Sequence, residues 1–411
     1  MTGRLAINGG PKVRERPFPT WPVHGEPEER ALLEVLHSDR WGRIDGDRVA
    51  AFEEAFASYQ DARFGVACSS GTTALRLALL AAGIEEGDEV IVPPYTFVAT
   101  ASAVVEANGV PVFADIEPDT FNIDPGAVKQ AITSRTKAII PVHFAGQAAD
   151  MERILEIARR RRLIVIEDAA HGHGATWQGR KLGSIGEMGC FSFQSSKNLT
   201  AGEGGMILTS SAEYERLLRA YHTCGRFPER AWYEHHLIGG NYRMTEFQGA
   251  LLLAQLARLE FQTQIRNANG LHLNARLGSI PGIRPLTRGH GETRHSYHLY
   301  IFRYESEAFH GVPRDRFLAA LQAEGIPCSG GYATGLYAQP LFAGRAFGPF
   351  GGARGARADL RYDPAGFPAC EQACAEACWL FQAMLLGTPE DMNDIVRAVE
   401  KIYENRTELC V

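Results

Sequence analysis

The run Phe191-Ser192-Phe193-Gln194-Ser195-Ser196-Lys197 continues as Asn198-Leu199-Thr200-Ala201-Gly202-Glu203-Gly204-Gly205. It joins an apolar, strand-like segment to small polar residues, one lysine and a glycine-rich turn. Strand ends in α/β proteins face a binding crevice. An amine held there is desolvated, which lowers its pKa and makes it nucleophilic toward carbonyls. The plain alternative is a solvated lysine at a strand-to-loop junction. The segments on either side decide between the two.

Outward from this stretch the chain alternates. Phe64–Cys68, Glu89–Pro93, Val110–Ala114, Lys137–Val142, Leu163–Glu167, Met188–Phe193 and Gly205–Thr209 are short apolar runs. Helical patterns over Thr72–Ala82, Val98–Ala107 and Asp150–Arg160 separate several of them. Strands alternating with helices predict an α/β fold, a mainly parallel seven-stranded sheet covered on both faces. Pro27–Leu36 and Asp47–Tyr59 predict two earlier helices. After residue 243 the pattern changes: Met244–Leu277 predicts one or two long helices, and His298–Phe302 opens a smaller α+β region with helices over Val312–Ala323 and Pro389–Tyr403. The expected division is an N-terminal arm over 1–25, a large α/β domain over 26–245, a linking helix over 246–264 and a small C-terminal α+β domain over 265–411. Gly348–Pro364 is expected to be a loop.

Composition narrows the function. In 411 residues, 45% are hydrophobic and 22% charged, with a formal net charge of −6, which is ordinary globular chemistry with a sizeable core. The one basic block, Arg159–Arg162, ends a helical pattern where the macrodipole favours cations. No broad basic face points to nucleic acid. The start carries no apolar leader and no stretch reaches membrane-spanning length, so a cytoplasmic protein is expected. Its eight cysteines are expected to be reduced thiols. Cys370, Cys374 and Cys378 would share a face if they lay on one helix, as small buried thiols rather than metal ligands.

Candidate chemistry gathers at the strand ends. Ser70-Gly71-Thr72 follows the first strand at a helix start, where backbone N–H groups and a glycine admit a phosphate; the plain reading is an N-cap. No GxGxxG follows this strand, which argues against a nicotinamide dinucleotide. Asp168 ends the fifth strand and suits a cationic ring nitrogen. His171 lies three residues on, within reach of a ring oxygen. The rival reading joins His171, His173 and Asp168 as metal ligands, without a further cluster to complete them. Ser192 is positioned for a phosphate, and Phe97 for stacking on a ring, with a buried core Phe as the plain reading. Lys197 in this company reads as the Schiff-base lysine of pyridoxal phosphate.

The order of these segments resembles the DegT/StrS family of pyridoxal-phosphate aminotransferases that act on sugars and cyclitols. The resemblance runs from about Trp21 to Leu386. It rests on Ser70-Gly71-Thr72, Gly87–Pro93, Glu167-Asp168-Ala169-Ala170-His171, the Lys197 stretch with Gly202-Glu203-Gly204-Gly205, and Gly240–Gln248. It implies the aspartate-aminotransferase fold (fold type I) and a homodimer whose active site is shared. Under it, Lys197 and Asp168 are the catalytic pair. Ser70, Gly71, Thr72, Phe97, His171 and Ser192 contact the cofactor, and Asn241 reaches the phosphate in the neighbouring subunit. Arg243, Gln194 and Tyr332 are substrate contacts, Arg243 for the donor's carboxylate. Pyridoxamine phosphate is the implied intermediate form, and L-glutamate or L-glutamine the implied amino donor. Gln194 and the motif His222-Thr223-Cys224-Gly225-Arg226 resemble the branch forming inosamines and aminohydroxybenzoate, which implies a carbocyclic keto acceptor. A nucleotide-diphosphate keto-sugar acceptor is the alternative, and a non-catalytic regulatory relative is the further one.

Overall fold

Residues 3–350 and 362–410 are described by the structure, a computed structural model. Most of the loop expected over Gly348–Pro364 therefore lies outside the described residues. Two helices, α1 (Glu26–His37) and α2 (Arg48–Tyr59), precede the alternation. Strand β1 (Phe64–Cys68) leads into α3 (Gly71–Ala81), β2 (Glu89–Val92) into α4 (Ala99–Glu106), and β3 (Val110–Phe113) into α5 (Pro125–Ala131). Next come β4 (Thr136–Ile139), α6 (Met151–Arg161) and β5 (Ile164–Asp168). A short hairpin, β6 (Thr176–Trp177) and β7 (Arg180–Lys181), precedes β8 (Met188–Ser192), β9 (Gly205–Thr209) and α7 (Ala212–His222).

Seven strands form one sheet in the order β1-β9-β8-β5-β4-β2-β3. Strand β9 runs antiparallel to both its neighbours, and the other pairings are parallel. The mainly parallel seven-stranded sheet expected from the alternation is thus present. Its strands are apolar along their length because helices cover both faces. Parallel strands put their carboxyl ends on one edge, which brings Cys68, Asp168 and Ser192 to the same side of the molecule.

Met244–Leu277 forms one helix, α8 (Glu246–Leu277), 32 residues long. It starts at a reciprocal cap between Thr245 and Gln248. A second sheet, β10 (Ile283–Pro285), β12 (Leu299–Tyr304) and β13 (Ala377–Phe381), packs its own core with the helices Arg314–Ala323 and Pro389–Glu404. Strand β11 (Glu292–Arg294) pairs with β6 instead. We propose the division 1–25, 26–245, 246–264 and 265–411, with α8 running unbroken past residue 264.

Cys370, Cys374 and Cys378 are buried free thiols, as expected, without sharing one helix. Cys370 and Cys374 lie on the helix Pro368–Glu376, but Cys378 lies on β13. The chain leaves the helix after Glu376 because Ala377 takes an extended conformation and pairs with Arg303 of β12. The arm over 1–25 is anchored to the C-terminal region. Leu5 is buried in the second core, Ala6 donates its N–H to Glu324, and Arg14 bridges Asp391 and Asp394 at 2.8 and 2.7 Å.

Candidate active site

A cavity of about 660 Å³ opens at the carboxyl edge of the large sheet. Of the residues singled out in the sequence, Ser70, Gly71, Thr72, Phe97, Asp168, His171, Ser192, Gln194, Lys197 and Tyr332 line it. Asn241 and Arg243 do not. His173 lies instead among Phe56, Phe191 and Phe193. Among the described residues no group of three His, Cys, Asp or Glu side chains is disposed around a metal position.

One end of the cavity is the start of α3. The Ser70 hydroxyl is used as the helix cap, accepting from Thr73 N–H at 3.1 Å. Gly71 and Thr72 are the first two residues of the helix, where N–H groups lack intrahelical partners. A Cβ on Gly71 would stand 2.7 Å from that of Ser192, so only glycine lets the helix start approach β8 this closely. The result is a small cradle of N–H and hydroxyl donors suited to a phosphate.

The floor is the end of β5. Asp168 accepts the Thr100 hydroxyl on Oδ2 at 2.8 Å and the Ala170 N–H on Oδ1 at 3.2 Å. Burial raises its pKa, while Thr100, Ala170 and the nearby Lys197 oppose that shift. Such a carboxylate lacks a full countercharge and is ready to take a cationic ring nitrogen. Behind it, buried Glu167 accepts from His143 Nε2 and from the N–H groups of Gly183, Ile185 and Gly186. Burial alone would raise Glu167, but these donors outweigh it and hold its pKa below the ordinary value.

His171 accepts the Ala145 N–H on Nδ1 at 3.2 Å. Ala145 has a φ of 58°, a left-handed turn that aims this amide. Burial, then the nearby Lys197 and two histidines, keep His171 well below its usual pKa. A neutral ring that accepts on Nδ1 carries its proton on Nε2, so His171 is a donor. Its ring stacks on His298, centroids 4.1 Å apart. His298 is turned by Asn198 Oδ1 at 3.2 Å, and Asn198 in turn donates to the Ser296 carbonyl.

Lys197 faces this group from the loop after β8. Burial lowers its pKa from 10.5 to about 8, against the pull of Asp168. Four aromatic side chains, Phe52, Phe56, Phe191 and Phe193, pack behind the loop and fix its base. From the arm, Trp21 donates its indole N–H to the Ser195 carbonyl at 2.9 Å and forms another part of the wall.

These features fit pyridoxal phosphate in every part: a donor cradle for the phosphate, a carboxylate for the ring nitrogen, a neutral donor for a ring oxygen, and an amine of lowered pKa. Sequence reasoning missed Trp21, Thr100, His298, Trp379, Phe381 and Gln382, all of which line the cavity. His298 carried a visible signal, a polar residue at the head of an apolar strand. Gln382 just after β13 carried none.

Comparison with known proteins gives a consistent result. The model of the DegT/DnrJ/EryC1/StrS aminotransferase family matches residues 22–400. The chain is 40% identical to L-glutamine:2-deoxy-scyllo-inosose aminotransferase of Streptoalloteichus tenebrarius, over 100% of each chain. Its fold matches that of 3-amino-5-hydroxybenzoic acid synthase with a TM-score of 0.85 and 32% identity, covering 95% of this chain and 100% of the other. It also matches NtdA of Bacillus subtilis, solved with bound cofactor PMP, with a TM-score of 0.80 and 26% identity, covering 96% and 87%.

Proposed function

The chain belongs to the DegT/DnrJ/EryC1/StrS aminotransferase family and has the fold type I architecture. From that premise we propose that it transfers the amino group of L-glutamine to the ketone of a neutral cyclitol of the scyllo-inosose class, with pyridoxal phosphate as cofactor, in the biosynthesis of an aminocyclitol natural product. The observation that carries this reading is the pairing of Lys197 and Asp168 in one cavity with the start of α3.

When bound, pyridoxal phosphate supplies the electron sink for the carbanion generated at the donor's α-carbon. The chain's own residues do the rest. Gly71, Thr72 and Ser192 would hold the phosphate, and Phe97 would lie against the ring. Asp168 would hold the proton on the ring nitrogen, and His171 Nε2–H would donate to the ring oxygen. Lys197 Nζ would anchor the cofactor and, once displaced by the donor, would take the proton from the donor's α-carbon and deliver it to the cofactor, as base and acid in turn. A pKa near neutrality suits both tasks.

The cavity favours a neutral acceptor. Among the described residues that line it, Lys197 alone carries an amine or guanidinium, and that amine is committed to chemistry. A nucleotide diphosphate would need further cations.

We also infer a homodimer with shared sites. Next to Asn241, the loop side chains Trp232, Tyr233 and Ile238 are 71%, 78% and 96% exposed, an apolar surface suited to a second copy of the chain. Asn241 would then complete the partner's cavity at the phosphate. Among the described residues no helix is long and apolar enough to cross a membrane; action in the cytoplasm is part of the proposal.

The test is an absorption spectrum of the cofactor-loaded protein before and after L-glutamine. A visible band that bleaches, and that 2-deoxy-scyllo-inosose restores, is expected. No visible band after incubation with pyridoxal phosphate would overturn the reading in favour of a non-catalytic relative.

A further inference from the structure

Arg266 of α8 has no exposed surface. Its Nε and one terminal nitrogen both donate to Gln382 Oε1, at 3.0 and 2.6 Å. Its other terminal nitrogen is buried without a partner. The indole of Trp21 lies 5.3 Å from the guanidinium carbon. Among the described residues no carboxylate lies within ion-pair distance of it. Burial alone brings its pKa down from 12.5 to about 9, with nothing opposing the shift. A buried, uncompensated cation is costly.

Its two companions, Trp21 and Gln382, both line the cavity that holds Lys197. A guanidinium only donates. The Gln382 atom that faces it is therefore the oxygen, and the amide NH2 is turned the other way. Among the described residues that NH2 has no acceptor. The cation behind the amide polarises it and strengthens its N–H groups as donors. The cavity wall at Gln382 thus offers fixed donors backed by a positive field, with no guanidinium of the same subunit exposed in the cavity.

We propose that Gln382 is the contact for the α-carboxylate of the amino donor, and that Arg266 is the positioning residue that orients and polarises it. This rests on the function proposed above. The donor is the one substrate there with a net anionic group, and the cyclitol acceptor is neutral. One cavity has to take both in turn. A guanidinium in the wall would be left unpaired whenever the neutral acceptor bound. An amide backed by a distant charge attracts the carboxylate and costs the acceptor little.

The experiment uses cofactor-loaded Gln382→Leu, Gln382→Glu, Arg266→Lys and Arg266→Met. Half-saturation by L-glutamine is read from bleaching of the visible band, and KM for 2-deoxy-scyllo-inosose from turnover. Gln382→Glu guards against misfolding, because its carboxylate pairs with Arg266 while removing the donor. Charge-assisted hydrogen bonds of this kind predict a rise in half-saturating L-glutamine of about 20-fold or more in both Gln382 variants. KM for the acceptor should stay within about threefold, and Arg266→Lys should recover most of what Arg266→Met loses. A half-saturation within about threefold of wild type in both Gln382 variants overturns the inference, as does a rise confined to the acceptor. A wild-type protein that answers no amino donor overturns the proposed function itself.

Discussion

Thr100 donates its hydroxyl to Asp168 Oδ2 at 2.8 Å, from the second residue of α4 to the last residue of β5. The bond favours the ionised carboxylate against burial. Thr100→Val removes it with little change in shape. Asp168 should then protonate more easily, and the acid limb of the rate–pH profile should move to higher pH. Cofactor affinity should fall about tenfold. Titration with pyridoxal phosphate and a pH–rate series check both.

Lys197 carries a cost in the cofactor-free protein. Its pKa is about 8 in the fold and 10.5 ordinarily, so the unfolded chain binds the proton more tightly. That penalty is fully present below about pH 8 and fades as pH rises toward 10.5. Lys197→Met should abolish transamination yet stabilise the cofactor-free fold at pH 7 by on the order of 2 kcal/mol. The gain should vanish near pH 10.5. Thermal unfolding at three pH values decides it.

Glu167 gives the opposite sign. Both of its oxygens accept only from donors: Oε1 from the N–H groups of Ile185 and Gly186, Oε2 from His143 and the Gly183 N–H. Glu167→Gln turns an NH2 against two of them whichever way it is rotated. A loss of about 3 kcal/mol at pH 7 is expected. Because the folded carboxyl titrates below the ordinary value, this contribution is present above the usual glutamate range and disappears in acid. The unfolding curves of wild type and variant should converge there.

The proposed shared site makes a prediction about mixtures. Lys197→Met and Asn241→Ala proteins should each be inactive or weak. Mixed after subunit exchange, they should regain activity, because one of the two sites in each mixed dimer carries both residues. A single mass of two chains in solution should accompany this. No recovery with exchange demonstrated would leave Asn241 a residue of its own subunit.

How much of this was legible beforehand depends on the range of the interaction. The large sheet was readable because its strands are buried on both sides and appear as apolar runs between helices. Lys197 stood out as a lone charge just past the end of such a run, and Asp168 as the acidic residue that ends one. Thr100 was not legible, since a threonine inside a short helix looks the same whether or not a carboxylate lies across from it. Gln382 and Arg266 lie 116 residues apart, and neither has a local pattern. The place of Cys378 was not legible for a related reason: helical spacing across 370–378 looks continuous until the pairing of Ala377 with Arg303 ends the helix.

The arm over 1–25 also bears on the order in which the enzyme is made. Its anchors Glu324 and Glu408 lie 318 and 403 residues downstream of Ala6 and Leu5. During synthesis the arm emerges before these anchors exist to hold it. The segments proposed to hold pyridoxal phosphate are all out of the ribosome well before Glu324, Asp391 and Asp394 are. Trp21 meets Ser195 early, but the arm that carries it is fastened only late. A nascent chain would gain its cofactor pocket first and its finished substrate chamber only once those downstream anchors had emerged.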